Sequence, residues 1–450
     1  MSSLTSARAL PGIFTLLGAL ALTGCAQPNR IAIQEPPLRG GSTCFGRIVI
    51  ATGDCDGDGL RDYAASMPFV DEGRGLVRIF SSKSHAALFD LRPTAPSPYT
   101  WLGHVMVSLP DVDGDGIEDL AVSRYDDTGT EVFSLGTRRG LFSIRGYPRS
   151  LREATGPRPD RILVARDLDG DGGTDLLVCG TTLKAYSGSN GAAIAEPLPD
   201  GVVALVPAPK SSLAGVSRSN GVVFRGEGEI EFYDCAVTLD APSERLKVKA
   251  PELLSAPGSG LHRADGLHAS DLDGDGRLDL IELRSSDGVP GGNERWFRLR
   301  VFGSRTGDLT FQRIWRSDSE PPECLANCVG LPGDLNSDGT PDLIVGVPFA
   351  WAIPGGVFAI SGRDGSDIWR APPPQEAGAP DGTLLEMGMT LGVIDDVDGD
   401  RVAEVVVACG DYHWGAGTEQ VGMLLVLSGR TGVELLRKLE TEEPRHLLPP

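Results

Sequence analysis

The 450-residue sequence predicts an all-β protein, a seven-bladed β-propeller of four-stranded blades, on three observations. A nine-residue acidic motif recurs six times at a near-regular spacing. Each copy is followed by short, β-rich apolar runs separated by glycine-rich turns. No stretch shows sustained helical periodicity, and 59 glycines and 33 prolines suit tight turns between many strands.

The motif reads DCDGDGLRD from Asp54, DVDGDGIED from Asp111, DLDGDGGTD from Asp167 and DLDGDGRLD from Asp271. Two looser copies follow, DLNSDGTPD from Asp334 and DVDGDRVAE from Asp396. The start-to-start spacings are 57, 56, 104, 63 and 62 residues, and a fixed period of this size signals a propeller, solenoid or array. The third gap, nearly twice the others, predicts a seventh unit that has lost its acids. Residues 201–235 fit it, with apolar runs flanking PAPKSS where the loop would stand.

The flanks choose the propeller. Each loop leads into a run such as DLAVS, DLLVCG, DLIEL, DLIVGVP or EVVVACG. A second run ends in Ser-Gly or a similar turn, as in LKAYSGSNG, GGVFAISGRDG and GMLLVLSGRTG, and a further short apolar segment follows most of these. Four short strands per unit, repeated around an axis, describe propeller blades.

The N-terminus is set apart from this pattern. Residues 11–24, PGIFTLLGALALTG, are too short for a membrane span, which needs about 20 apolar residues, and fit the apolar region of a secretory signal. Leu22-Thr23-Gly24-Cys25 resembles the lipobox of bacterial lipoproteins, which implies lipidation at Cys25 and an exported, membrane-anchored protein, periplasmic or at the cell surface. The expected layout is a signal peptide over 1–24, a lipidated N-terminus and linker over 25–40, the propeller over 41–440 and a tail over 441–450. An exported chain keeps disulfides, and Cys44/Cys55 and Cys324/Cys328 are close enough in sequence to pair, while Cys179 and Cys409 sit in apolar runs like core residues.

Together the repeats resemble the FG-GAP repeats of the integrin α-chain propeller and related bacterial proteins, best in CVGLPGDLNSDGTPDLIVGVPFAWAIPGGVFAISG from Cys328 and LGHVMVSLPDVDGDGIEDLAVS from Leu102. In that pattern the side chains at loop positions 1, 3, 5 and 9 converge on one ion, position 7 adds a backbone carbonyl, and glycine at position 6 allows the sharp turn. The resemblance thus implies calcium on Asp54, Asp56, Asp58, Leu60 and Asp62, and on Asp111, Asp113, Asp115, Ile117 and Asp119, with Glu118 pointing outward. It implies the same for Asp167, Asp169, Asp171, Gly173 and Asp175, and for Asp271, Asp273, Asp275, Arg277 and Asp279. The looser sets are Asp334, Asn336, Asp338, Thr340 and Asp342, then Asp396, Asp398, Asp400, Val402 and Glu404. Hard oxygen ligands in that number suit calcium better than magnesium. The Asp396 loop is expected to be the weakest, because Arg401 takes the glycine position and its guanidinium competes with the cation.

An EF-hand would need a glutamate at position 12 and flanking helices. Position 12 here is Ala65, Val122, Val178, Glu282, Val345 and Val407, so that reading is rejected. The charge agrees with metal loops: 23 acids stand at ligand positions, and without them the formal charge of −21 falls close to neutral. No nucleic-acid partner is expected.

No HExxH, GxSxG, P-loop or CxxC occurs, and six histidines are scattered without ligand spacing, so a non-catalytic adhesion or ligand-binding module is expected, for protein or carbohydrate. The alternatives are a propeller-based polysaccharide-acting enzyme and a structural part of an envelope assembly. Candidate ligand contacts on the face opposite the acidic loops are Tyr125, Phe349, Trp351, Tyr412, His413 and Trp414. The competing role for these rings is to fill gaps between blades.

Overall fold

In the computed structural model the described residues are 45–95, 100–124, 129–144, 161–165, 169–179, 183–194, 205–207, 221–225, 229–233, 246–249, 266–274, 279–285, 295–303, 308–317, 328–348, 356–373, 386–410 and 422–439. The leader, Cys25 and the tail lie outside them, as do Tyr125, Phe349, Trp351, Tyr412, His413 and Trp414.

These residues form antiparallel sheets in chain order. The first holds β1 (Val49–Ala51), β2 (Tyr63–Met67), β3 (Leu76–Phe80) and β4 (Ala87–Leu91); the second holds β5 (Met106–Leu109), β6 (Asp119–Ser123), β7 (Thr130–Ser134) and β8 (Arg139–Ile144). The third shows three described strands, β9 (Arg161–Ala165), β10 (Asp175–Cys179) and β11 (Leu183–Tyr186). The fourth, within the long gap between acidic loops, comprises β12 (Leu205–Pro207), β13 (Gly221–Arg225), β14 (Glu229–Tyr233) and β15 (Leu246–Lys249). Then come β16 (Gly266–Ser270), β17 (Asp279–Ser285), β18 (Arg295–Phe302) and β19 (Leu309–Ser317). The sixth sheet is β20 (Val329–Gly333), β21 (Asp342–Val347), β22 (Gly356–Ile360) and β23 (Asp367–Ala371); the last is β24 (Glu386–Ile394), β25 (Glu404–Gly410), β26 (Met423–Leu427) and β27 (Glu434–Leu439).

Helix is nearly absent. The one helical turn among the described residues, Val70–Gly73, contains Asp71 and Glu72 at φ 52° and 59°, so it is a left-handed connection rather than a helix. This all-antiparallel, four-stranded pattern is consistent with a β-propeller.

The first strand of each sheet packs against that of the next, from β1 through β5, β9, β12, β16 and β20 to β24, and β24 packs back on β1. Middle strands are therefore covered on both sides: β2, β6, β7, β21, β22 and β26 are buried at every residue. That is why their sequences are continuous runs and not polar–apolar alternations.

Alternation survives as a choice of neighbour. Along β21, Leu343 and Val345 pack with Ile281, Phe297 and Leu299 of the preceding sheet, whereas Ile344 joins Val405, Val407 and Leu425 of the following one. The last sheet meets the first in the same way, through Val406, Leu424 and Val426 against Val49, Tyr63 and Phe80. Each fully buried Phe or Leu in these layers contributes about 1.5–3 kcal/mol.

Rings on the outermost strands add a seam. Trp369 of β23 donates Nε1–H to the Gly429 carbonyl at 2.7 Å in the next sheet's β26–β27 turn. Where last meets first, Lys438 of β27 takes that role, its Nζ donating to the His85 carbonyl at 2.8 Å and standing over the Phe80 ring at 4.6 Å.

Candidate functional site

Each acidic loop joins the first two strands of its sheet, so all of them, with the β3–β4-type turns, lie at one end of the strands. The first acid organises the turn. Asp111 Oδ1 accepts the Gly114 and Asp115 N–H groups at 2.6 and 3.2 Å, and Oδ2 accepts Gly116 N–H at 2.8 Å. Asp54 and Asp396 repeat this three-bond pattern, and Asp334 takes two of its bonds. The acids at positions 3 and 5 also hold backbone, as in Asp115 N–H to Asp113 Oδ1 at 3.3 Å and Ile117 N–H to Asp115 Oδ1 at 2.9 Å.

Two loop residues carry positive φ. Position 6 does so as expected, at Gly59, Gly116, Gly172 and Gly339, and position 4 does so too, at Gly57, Gly114, Gly170, Gly274 and Gly399. The position-4 requirement is plain in the repeated DxDGDG once the geometry is known. Ser337 (φ 61°) fills position 4 of the Asp334 loop, and Arg401 (φ 71°) fills position 6 of the Asp396 loop. Arg401 adopts the left-handed conformation despite its bulk, and its N–H reaches Asp396 Oδ2 at 2.7 Å just as glycine does elsewhere. Its side chain is not the one that meets the acids; Arg430 is, with Nε 3.2 Å from Asp400 Oδ2.

The ninth-position acids behave differently from the others. Asp62, Asp119, Asp175, Asp279, Asp342 and Glu404 are all buried at the start of the second strand or just before it. Each described pair fixes the loop's second residue, for example Val112 N–H to Asp119 Oδ2 at 2.7 Å and Leu335 N–H to Asp342 Oδ2 at 2.8 Å. Their other oxygen commonly takes the third–fourth strand turn: Ser82 N–H on Asp62 at 3.0 Å, Gly188 on Asp175 and Gly362 on Asp342 at 3.1 Å.

Burial, with the neighbouring acids adding to it, pushes Asp62 up to about 6 and Asp119 and Glu404 up to about 7, and raises Asp342. Backbone donors, led by Gly116 N–H, hold the exposed Asp111 below the usual carboxylate range. The Ser189 hydroxyl does the same for Asp171.

Five of the six loops bring three or more carboxylates together with ligand oxygens within 4.8 Å of one another. They are Asp54, Asp56 and Asp58; Asp111, Asp113 and Asp115; Asp169, Asp171 and Asp175; Asp271, Asp273 and Asp279; and Asp396, Asp398, Asp400 and Glu404. Asp167, Asp275 and Arg277 lie outside the described residues. The Asp334 loop forms no such group, and Asn336 turns its Nδ2 donor onto Asp338 Oδ2 at 3.3 Å. In the Asp396 loop Glu404 Oε1 is buried and accepts no hydrogen bond. A buried acceptor without a donor, gathered with three other carboxylates, could hold a hard divalent cation.

Two expectations are corrected. Glu118 does not point outward: its Oε2 accepts Arg61 Nη2 at 2.8 Å and Ser108 Oγ at 3.0 Å. Cys55 and Cys328, offered as disulfide partners, are free thiols, as is Cys409; Cys44 and Cys324 lie outside the described residues. Burial pushes the Cys55 thiol up to about 12.

At the opposite end of the strands, Phe69, Trp101 and His104 form a ring cluster with centroids 5.4–6.1 Å apart. Trp101 is buried there and sits between the first two sheets, with φ 43°. Sequence reasoning passed over these three, which no repeat marks; in this seam the rings fill the space between sheets.

No family model matches the chain. Over 136 residues, 28% of this chain, it is 30% identical to Integrin alpha-PS5 of Drosophila melanogaster, and spans 13% of that protein's length. It is also similar to a solved chain from the crystal structure of BBS1N in complex with ARL6DN, soaked with lead, at 11% identity and a TM-score of 0.44, over 84% of this chain and 91% of that one.

Proposed function

We propose that this chain is an exported, lipid-anchored, seven-bladed β-propeller whose acidic loops hold calcium, and that it acts as a non-catalytic module binding a protein or carbohydrate. The observation that carries the reading is the Asp396 loop, where four carboxylates gather and one buried oxygen has no donor. Asp167, Asp275 and the position-7 carbonyls of Leu60, Ile117, Gly173, Arg277, Thr340 and Val402 complete the proposed ligand sets. The local likeness to an integrin α-chain supports a ligand-binding role, and the lipobox at Leu22–Cys25 supports the anchor. The ligand would meet the end of the strands away from the loops, where calcium acts by holding the sheets in place.

A glycan and protein-partner screen of the intact protein, in calcium and in chelator, tests the function. Calcium-dependent capture of a partner without turnover is expected. Processing of a glycan would contradict the non-catalytic reading. Membrane fractionation of Cys25→Ala tests the anchor: release or blocked maturation is expected, and unchanged partitioning with unchanged processing would contradict it.

A further inference from the structure

In the second, third, sixth and last sheets, the end of the third strand or the turn after it rests against the position-5 acid of the sheet's own acidic loop. In the second and third sheets it offers that acid neutral donors only. Ser134 Oγ lies 3.1 Å from Asp115 Oδ2, and Ser189 and Ser187 hydroxyls lie 2.7 and 3.2 Å from Asp171 Oδ2. In the last two sheets the turn reads SGR, and the contact becomes ionic. Arg430 places Nε 3.2 Å from Asp400 Oδ2 and Nη2 3.0 Å from the Asp400 carbonyl. Arg363 places Nη2 2.8 Å from the Asp338 carbonyl and 3.7 Å from Asp338 Oδ1.

We infer that Arg363 and Arg430 are resident counter-ions of the Asp334 and Asp396 loops, which lowers the affinity of these loops for calcium. The inference rests on the calcium reading and extends it to a ranking. The Asp111 loop has four acids at ligand positions, and the donor that meets its position-5 acid, Ser134 Oγ, is neutral. The Asp396 loop has four acids set against one arginine, and the Asp334 loop three acids, an amide and one arginine. Ligand charge count tunes calcium affinity, so of these three the Asp111 loop binds tightest, the Asp396 loop next and the Asp334 loop weakest. Glu404, buried and with Oε1 unpartnered, keeps the Asp396 loop competent for a cation. The unusual residue of that loop, Arg401, is neutral in this respect because its backbone does glycine's work and its side chain is exposed.

The test uses the intact protein, stripped with chelator and titrated with calcium alone by calorimetry, with melts in chelator and in calcium. Arg363→Gln should tighten the weakest calcium step and Arg430→Gln the step above it, each by roughly two- to fivefold, the scale of one partly exposed ion pair. Each should also melt lower than the parent in chelator and recover more on adding calcium. Arg430→Lys, which keeps the charge, should stay close to the parent in affinity, whereas a purely structural arginine would leave both the lysine and glutamine variants with unchanged affinity. Unchanged calcium affinity together with an unchanged chelator melt in the glutamine variants overturns the inference. If the parent binds no calcium, the calcium reading fails and the ranking falls with it, whereas calcium binding by the parent with unchanged affinity in both glutamine variants rejects the counter-ion role alone.

Discussion

Arg61 Nη2 donates to Glu118 Oε2 across 2.8 Å, joining the acidic loop of the first sheet to that of the second. On its other side, Arg61 N–H donates to Asp395 Oδ2 at 2.8 Å, beside the acidic loop of the last sheet. The loops are thus linked laterally across the place where the first and last sheets meet. Both side chains of the pair are partly exposed, so a double-mutant cycle with Arg61→Ala and Glu118→Ala should give a coupling of about 0.5–1 kcal/mol that shrinks with salt. A coupling of zero would mean the link is incidental.

A second ion pair should matter far more. Arg124 and Glu131 are both 1% exposed, with Nη1 2.9 Å from Oε2, and Glu131 Oε1 also accepts Thr94 N–H at 3.1 Å. Glu131→Ala should cost about 3–5 kcal/mol by denaturant unfolding, because it strands a buried guanidinium. Removing both charges with Arg124→Leu and Glu131→Leu should recover part of that loss. A single-variant loss below about 1 kcal/mol would contradict the buried placement.

The Ser-Gly turns yield a steric prediction. A Cβ on Gly362 would lie 1.9 Å from the Pro341 carbonyl oxygen of the acidic loop, whereas a Cβ on Gly339, at φ 86°, meets nothing within 4 Å. Gly339→Ala pays only the left-handed backbone cost of about 1–2 kcal/mol. Gly362→Ala must separate turn from loop and should cost about 3 kcal/mol or more. Equal melting temperatures for the two variants would show that the turn and loop do not touch.

These cases mark what was legible in the sequence. The acidic loops were readable because their geometry is local: the first acid bonds only to residues three to five positions on, as Asp111 does to Gly114, Asp115 and Gly116. The run of four short strands per unit was readable for the same reason. The partners of Glu118, Asp338 and Asp400 come from another sheet or from a turn some 25–60 residues away, and no spacing rule reports that. SGRDG and SGRTG could have raised the question, since an arginine beside a recurrent Ser-Gly is a local signal.

The ninth acids set the pH dependence. Asp62, Asp119 and Glu404 titrate near 6–7 in the folded protein without cation, above their ordinary values of 3.8 and 4.5. A raised folded pKa stabilises the fold below the ordinary value, and that stabilisation is lost as pH rises through about 6–7. In chelator the melting temperature should therefore fall between about pH 5 and pH 8. Calcium needs the deprotonated acids, so the gain on adding it should grow over the same interval. A chelated protein whose melt is flat across that range would contradict the crowding of these carboxylates.

The calcium dependence of the parent's thermal melt tests the central claim most directly. A cation that binds only the folded state stabilises it by mass action, and sites in exported modules often have dissociation constants of about 10⁻⁴–10⁻³ M. The melting temperature should climb as calcium is raised through the millimolar range, with Asp113→Ala and Asp398→Ala each reducing the climb. Identical melting temperatures in chelator and in excess calcium would contradict a structural role for the acidic loops.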